Sequence, residues 1–278
     1  MAQSSKGAVT RNASTKSLAN RGLIAATIVD KNFSGPLAES MESYPDGLVI
    51  VLDKPLNWTS ADAVRKLKFS LQKHFHQKNI KVGHAGTLDP LATGLLIICV
   101  GRATKISEQL QAHTKEYIAT IEFGATTPSY DLEKEIDAEY PYAHITKKIV
   151  EDALAGFIGP QEQVPPIFSA KMIAGVRAYE YARAGEPVEV KAAPIVIEEA
   201  ELQDFGSAPS GRPYATVRLR CSKGTYIRSF ARDLGLAVGS GAHLTALRRT
   251  LSGDFEINNA ISLEYFHTSN NFVVSLPK

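Results

Sequence analysis

Apolar and polar residues alternate in readable patterns from Pro45 onward. The stretch "DGLVIVLDKP" is an apolar run of strand length closed by a Lys-Pro turn, which predicts a buried strand. In "TSADAVRKLKFSLQKHF", Val64, Leu67, Leu71 and Phe75 recur at helical spacing. With Thr59 or Ser60 at the N-cap position, this predicts an amphipathic helix. The run from Leu95 to Val100 predicts a second buried strand, and no apolar run approaches the length of a membrane-spanning helix. "KEYIATIEFG" alternates, placing Tyr117, Ala119, Ile121 and Phe123 on one face and Ile118, Thr120 and Glu122 on the other.

Further along, "TTPSYDLEKEID" reads as a polar loop and "TKKIVEDALAGFIG" as a helix capped by Thr146, burying Ile149, Ala153, Leu154 and Phe157. "VPPIFSAKMIAGVRAYEYARAG" runs from a stiff Pro-Pro segment into a short helix. Strands are expected at "VEVKAAPIVIEEAELQDF" and "YATVRLRCS", then a helix at "TYIRSFARDLGLAVG"; "GAHLTALRRTLSGDFEI" receives no element. Strands and helices mix without strict βαβ alternation, which gives an α+β fold with a mixed sheet. Residues 1–45 are expected to be a disordered leader, because the Ser/Arg-rich start is poor in acids and apolar surface and lacks a secretory signal's apolar segment.

At 278 residues, 44% hydrophobic and 22% charged, the chain can bury a substantial core. The two cysteines, Cys99 and Cys221, sit in strand-like runs with no metal or disulfide spacing, so they read as core residues of a reducing compartment, the cytoplasm. A net charge of +2 implies no polyanionic partner, but its distribution is uneven. "RKLKFSLQKHFHQKNIK" and "VRLRCSKGTYIR" carry no acid, and stripes of this kind either neutralise phosphates or form a solvated face. Lys66, Lys68, Lys73 and Lys81 are the candidate phosphate contacts.

The chemistry centres on "KVGHAGTLDPLATGLLIICVGRATK", where Asp89 sits on a glycine-rich loop stiffened by Pro90, ahead of a buried strand. The loop lacks the ending of a phosphate-cradling loop and the glycine spacing of a dinucleotide fold. His84 and Asp89 have no third metal ligand of usable spacing nearby. No nucleophile elbow or Cys/His pair points to acyl transfer.

This segment resembles the signature of the bacterial tRNA pseudouridine-55 synthase family. "DGLVIVLDKPLNWTS", "TKEYIATIEFGATTPSYD", "VPPIFSAKMIAGVRAYEYARAG", "CSKGTYIRSFARDLG" and "GAHLTALRRTLSG" match its other blocks, in order, over residues 46–266. The resemblance implies a pseudouridine synthase fold, with a mixed, mostly antiparallel central sheet flanked by helices. It implies an isomerase that flips out a uridine of the tRNA T-loop, breaks its glycosidic bond, turns the base and joins it to the sugar through carbon. Asp89 matches the family's catalytic aspartate, which could attack the base, attack the sugar or deprotonate. Arg228 matches the arginine paired with it, holding the carboxylate ionised. Tyr117 matches the tyrosine stacked on the target base, Tyr226 a second aromatic of the site, and Leu247 an apolar pocket residue. Lys54 and Pro55 match the turn that forms the floor, and His84 the histidine that enters the vacated stack. No organic cofactor, metal, membrane or obligatory protein partner is implied.

Two local departures stand out. Asn57 occupies the place of the glycine in the Lys-Pro-x-Gly-x-Thr-Ser block, tolerable because Asn accepts left-handed backbone. After Gly124, Pro128 and Tyr130 stand where a second acid is common, though Asp131 remains. Residues 267–278 are expected to be a short tail without the RNA-binding domain that many members carry. The alternatives are a guide-RNA-dependent pseudouridine synthase, disfavoured by that tail, a non-catalytic tRNA-binding or folding module, and a metal-dependent hydrolase on His84 and Asp89.

Overall fold

A computed structural model describes residues 25–169, 171–173, 175–184, 186, 189–263 and 273–274. Eleven strands form its main sheet. In chain order they are β1 (Thr27–Val29), β2 (Leu48–Lys54), β3 (Val82–His84), β4 (Ala92–Val100), β5 (Lys115–Phe123), β6 (Gly159–Gln163), β7 (Ala193–Ser207), β8 (Pro213–Cys221), β9 (Ala242–Ser252), β10 (Phe255–Glu256) and β11 (Ile261–Ser262). The sheet runs β1-β2-β4-β9-β5-β8-β7-β6, with β3 on β4, β10 on β9 and β11 on β2. Only β1/β2, β4/β9 and β2/β11 are parallel, so the expected mixed, mostly antiparallel α+β sheet is what the chain forms.

The longer helices are α1 (Ser60–His74), α2 (Lys147–Ala155) and α3 (Ile227–Ala237). Thr59 caps α1 in a reciprocal capping box with Asp62, and α1 buries Ser60, Ala63, Leu67 and Leu71. In β5 the alternation holds: Lys115, Tyr117, Ala119, Ile121 and Phe123 are buried, and the residues between them are half-buried. Both cysteines are buried and free, and burial pushes the Cys99 thiol up to about 12 and Cys221 to about 11.

Several expectations need correction. Residues 25–45 are not a loose leader: β1 pairs with β2, and Val29, Leu37 and Tyr44 are buried in the core. Residues 1–24 lie outside the described residues, as does the tail except Val273–Val274, which pair with Gly35–Pro36. In α2 the buried residues are Val150 and Leu154, while Ile149 faces outward in the first turn. The cations of "VRLRC" are held by neighbouring strands: Arg218 pairs with Glu116, Glu199 and Glu201, and Arg220 with Glu198. That stripe is a self-neutralised sheet face. The unassigned segment after Gly241 is β9, which lies between β4 and β5 inside the sheet.

Candidate active site

The Asp89 loop connects β3 to β4 and is held on both sides. On one side Ser60, the first residue of α1, accepts from the Leu88 N–H at 2.8 Å and donates to the Leu88 carbonyl at 3.0 Å. Asn57 donates its backbone N–H to the Pro90 carbonyl at 2.9 Å, from a left-handed turn at φ 64°. The substitution of Asn for glycine thus keeps the turn open to this bond. The loop then closes through the Ala92 N–H donating to the Asp89 carbonyl at 3.1 Å.

On the other side stands Arg249, a residue that sequence reasoning passed over. The outer edge of β4 is shared: β9 pairs with it through Ala92–Gly94, and β3 through Ile98–Val100. Between the two strands the edge forks, and the Arg249 side chain fills the fork. Its Nε donates to the Leu95 carbonyl at 2.6 Å and an Nη to the Gly86 carbonyl at 3.1 Å, at the start of the loop. Arg249 is 1% exposed and has no carboxylate partner among the described residues. Gly94 makes this approach possible, since a Cβ there would lie 2.3 Å from the Arg249 carbonyl oxygen.

Arg228, in the first turn of α3, reaches Asp89 with Nε to Oδ2 at 2.9 Å. The same Nε is 3.7 Å from Asp131 Oδ2. The Arg228 and Asp131 side chains keep only 5% and 6% exposure, against 39% for Asp89. Asp89 is therefore the open member of a triad whose other two charges are sealed behind it. Asp131 is fixed by its own loop: Thr127 and Ser129 hydroxyls donate to its backbone carbonyl, and its carboxylate accepts the Glu133 N–H. Burial pushes the Asp89 carboxyl above its ordinary value; Arg228 opposes that rise and Asp131 reinforces it. Arg228 thus favours the charged form of a carboxylate that desolvation disfavours.

Of the remaining expected residues, Lys54, Tyr117 and Tyr226 lie within reach of the Asp89 charge, while Pro55, Leu247 and His84 sit on the elements around the loop. Lys54 ends β2, fully buried, and donates to the Pro55 carbonyl at 2.9 Å and the Trp58 carbonyl at 2.6 Å. Burial lowers its ammonium to about 8, partly countered by Asp89. Pro55 is exposed at the turn, contributing through that carbonyl. Tyr117 lies buried on β5, opposite Leu219 of β8 and Arg249 of β9. Burial raises its phenol, with Arg249 opposing and Asp89 adding to the rise. Leu247 lies on β9 between Ala92 of β4 and Ala119 of β5. Tyr226 is the N-cap residue of α3, its phenol raised by burial within reach of the Arg228 and Asp89 charges.

His84 closes β3 and is half-buried, with an Nδ1 that is buried and unpartnered. Burial and the nearby Arg249 charge lower its imidazole, favouring the neutral ring. Among the described residues no group of three or more His, Cys, Asp or Glu side chains is placed to hold a metal ion.

Comparisons with known proteins agree on one family. The N-terminal domain profile of TruB family pseudouridylate synthases matches residues 72–227, and the C-terminal domain profile of tRNA pseudouridylate synthase B matches residues 228–273. A tRNA pseudouridine synthase B of Phocaeicola vulgatus is 54% identical over 81% of this chain and 93% of its own length. That of Flavobacterium johnsoniae is 50% identical over 82% of this chain and 98% of its own. Among solved structures, a crystal structure of a Cbf5-Nop10-Gar1 complex superposes with a TM-score of 0.60 at 26% identity. It covers 87% of this chain, which spans only 61% of that one.

Proposed function

The chain belongs to the TruB family of pseudouridylate synthases, and from that membership we propose that it isomerises the T-loop uridine of tRNA at position 55, with Asp89 as the catalytic carboxylate. The general activity, conversion of uridine to pseudouridine in tRNA, follows from the family and its named relatives. The observation that carries the site assignment is the Asp89–Arg228 pair, an open carboxylate backed by a sealed guanidinium.

The reaction is balanced within the substrate. The bond from the sugar to N1 breaks, the base turns, and a bond from C5 to the same sugar carbon forms. C5 gives up one proton and N1 takes one, so no electron carrier is consumed. The chain must supply an ionised carboxylate, a fixed position for the base, and exclusion of water while the sugar bond is open. Arg228 serves the first need, Tyr117 and Tyr226 the second as aromatic faces, and Leu247 the third. Lys54 sits close enough to Asp89 to add positive charge below about pH 8. Lys54 and Pro55 also brace the turn that supports the loop. His84 would take the place of the flipped base, offsetting part of the few kcal/mol, roughly, of unstacking.

The T-arm of tRNA is the substrate element this reading names, and the cytoplasm its setting. No helix among the described residues is long and apolar enough to cross a membrane. The guide-dependent reading draws only on the Cbf5 likeness, and the relative at 54% identity outweighs it. The test is conversion of an unmodified tRNA transcript by intact protein and by Asp89→Asn, mapped by position. Conversion confined to the T-loop uridine and absent in the variant supports the reading. A transcript that is bound yet never converted refutes it.

A further inference from the structure

An open groove of about 490 Å³ runs beside α1, lined by Asn57, Trp58, Asp62, Arg65, Lys66 and Phe69. Positions 62, 65, 66 and 69 share one helical face, separate from the face that α1 buries through Ser60, Ala63, Leu67 and Leu71. Phe69 is 68% exposed on it, so packing within the core does not account for this ring. Trp58, half-buried, forms the inner wall. Arg65 is held by Asp62 at 2.7 Å, whereas Lys66, with Lys68 and Lys73 on the same helix, has no ion pair among the described residues.

The groove adjoins the segments that brace the active-site loop. Asn57 donates to the Pro90 carbonyl next to Asp89, and the Trp58 carbonyl accepts from Lys54. We infer that this groove is a second RNA subsite, in which nucleotides neighbouring the target uridine stack on Phe69 and Trp58 while Lys66 meets their phosphates. The inference rests on the tRNA reading above and extends it to a place outside the reacting centre. Aromatic faces flanked by unpaired cations suit single-stranded nucleotides, whose bases stack without regard to sequence. A second copy of the chain fits less well, because a two-fold contact through this patch would set the same lysines against each other.

Trp58 is the single tryptophan of the chain, so tryptophan emission reports this one ring on the groove wall, and Phe69→Ala separates stacking in the groove from events at Asp89. Asp89→Asn protein, expected on the reading above to hold substrate without converting it, is titrated with unmodified tRNA transcript while tryptophan emission is read. The same titration is repeated with Phe69→Ala, Lys66→Ala and, as a control on an exposed apolar residue elsewhere, Leu236→Ala added. We expect RNA to change Trp58 emission, and Phe69→Ala to weaken binding about tenfold. In the otherwise intact enzyme Phe69→Ala should raise KM with kcat unchanged, and Lys66→Ala should flatten the salt dependence of binding by about one unit of slope. Leu236→Ala should do neither. Unchanged emission at saturating tRNA overturns the inference, as does a wild-type KM for Phe69→Ala. Emission that shifts with protein concentration in the absence of RNA gives the groove to a second copy and also overturns it. If intact protein converts no uridine, the isomerase reading falls, while emission and salt slope still decide the groove.

Discussion

Replacing Arg249 with methionine tests whether the fork between β3 and β9 aims the Asp89 loop that we propose to be catalytic. The substitution keeps much of the volume and removes the donors to the Leu95 and Gly86 carbonyls. Each buried acceptor left without a donor costs about 1–3 kcal/mol. Against that loss stands relief of a buried guanidinium whose identified hydrogen-bond partners, two carbonyls and the Tyr117 phenol, carry no opposite charge, a burial that itself costs several kcal/mol, roughly. No unpaired charge is left behind, so the net loss of stability should be modest, about 1–3 kcal/mol, read from urea unfolding. The effect on catalysis should be larger, because Gly86 begins the loop and a displacement near 1 Å can cost about 100-fold in rate.

A second readout separates aim from mere stability. Arg249 lowers the His84 imidazole and the Lys54 ammonium through its charge, so Arg249→Met should raise the His84 titration midpoint followed by NMR. Arg249→Lys keeps the charge, and His84 should stay low; but one ammonium cannot span both carbonyls of the fork, so kcat should remain depressed. A methionine variant that turns over at the wild-type kcat, or a His84 midpoint that does not move, would refute this account.

Four further outcomes can be stated briefly. Because burial raises the Asp89 carboxyl and Arg228 opposes that rise, Arg228→Gln should move the acid limb of kcat/KM to higher pH, and an unmoved limb in the pH–rate profile would contradict the pairing. The sign for stability is opposite: a carboxyl raised on folding binds its proton more readily in the native state, so its contribution falls as pH rises from its ordinary value to its raised one. Asp89→Asn should remove that fall, detectable as a smaller loss of Tm across the window. Gly94→Ala, at φ 101° with a Cβ against the Arg249 backbone, should lose about 2–5 kcal/mol in urea unfolding. Asn57→Gly should be near neutral and Asn57→Ala should cost about 1 kcal/mol, since only the alanine is strained at φ 64°; equal stabilities would mean the left-handed turn carries no strain.

How far the sequence discloses this molecule depends on how local the determinants are. The Asp89 motif, the α1 face with its Thr59 cap and the β5 alternation are set by near neighbours, and each is found where the pattern places it. The strand β9 was not legible, and its pairing shows why. Leu244, Leu247 and Leu251 are spaced by three and four residues, closer to a helical rhythm than to alternation. The pairing with β5 absorbs that spacing by register shifts between Leu244 and Ala246 and between Arg249 and Leu251. Two adjacent arginines also argue against an interior strand until their partners are known. Arg248 reaches Asp53, 195 residues away in sequence, at 2.7 Å, and Arg249 fills the fork. Asp131 was visible as the acid remaining in its loop, but its pairing was not, because an acid in a polar turn acquires meaning only when Arg228 packs behind it. A carboxylate that must be both open and correctly aimed needs restraint from several directions, and here Ser60 with Asn57, Arg228 and Arg249 supply it from three separate segments. The motif thus points to Asp89, the carboxylate proposed to react, while the geometry that holds it comes from contacts between segments that the motif does not contain.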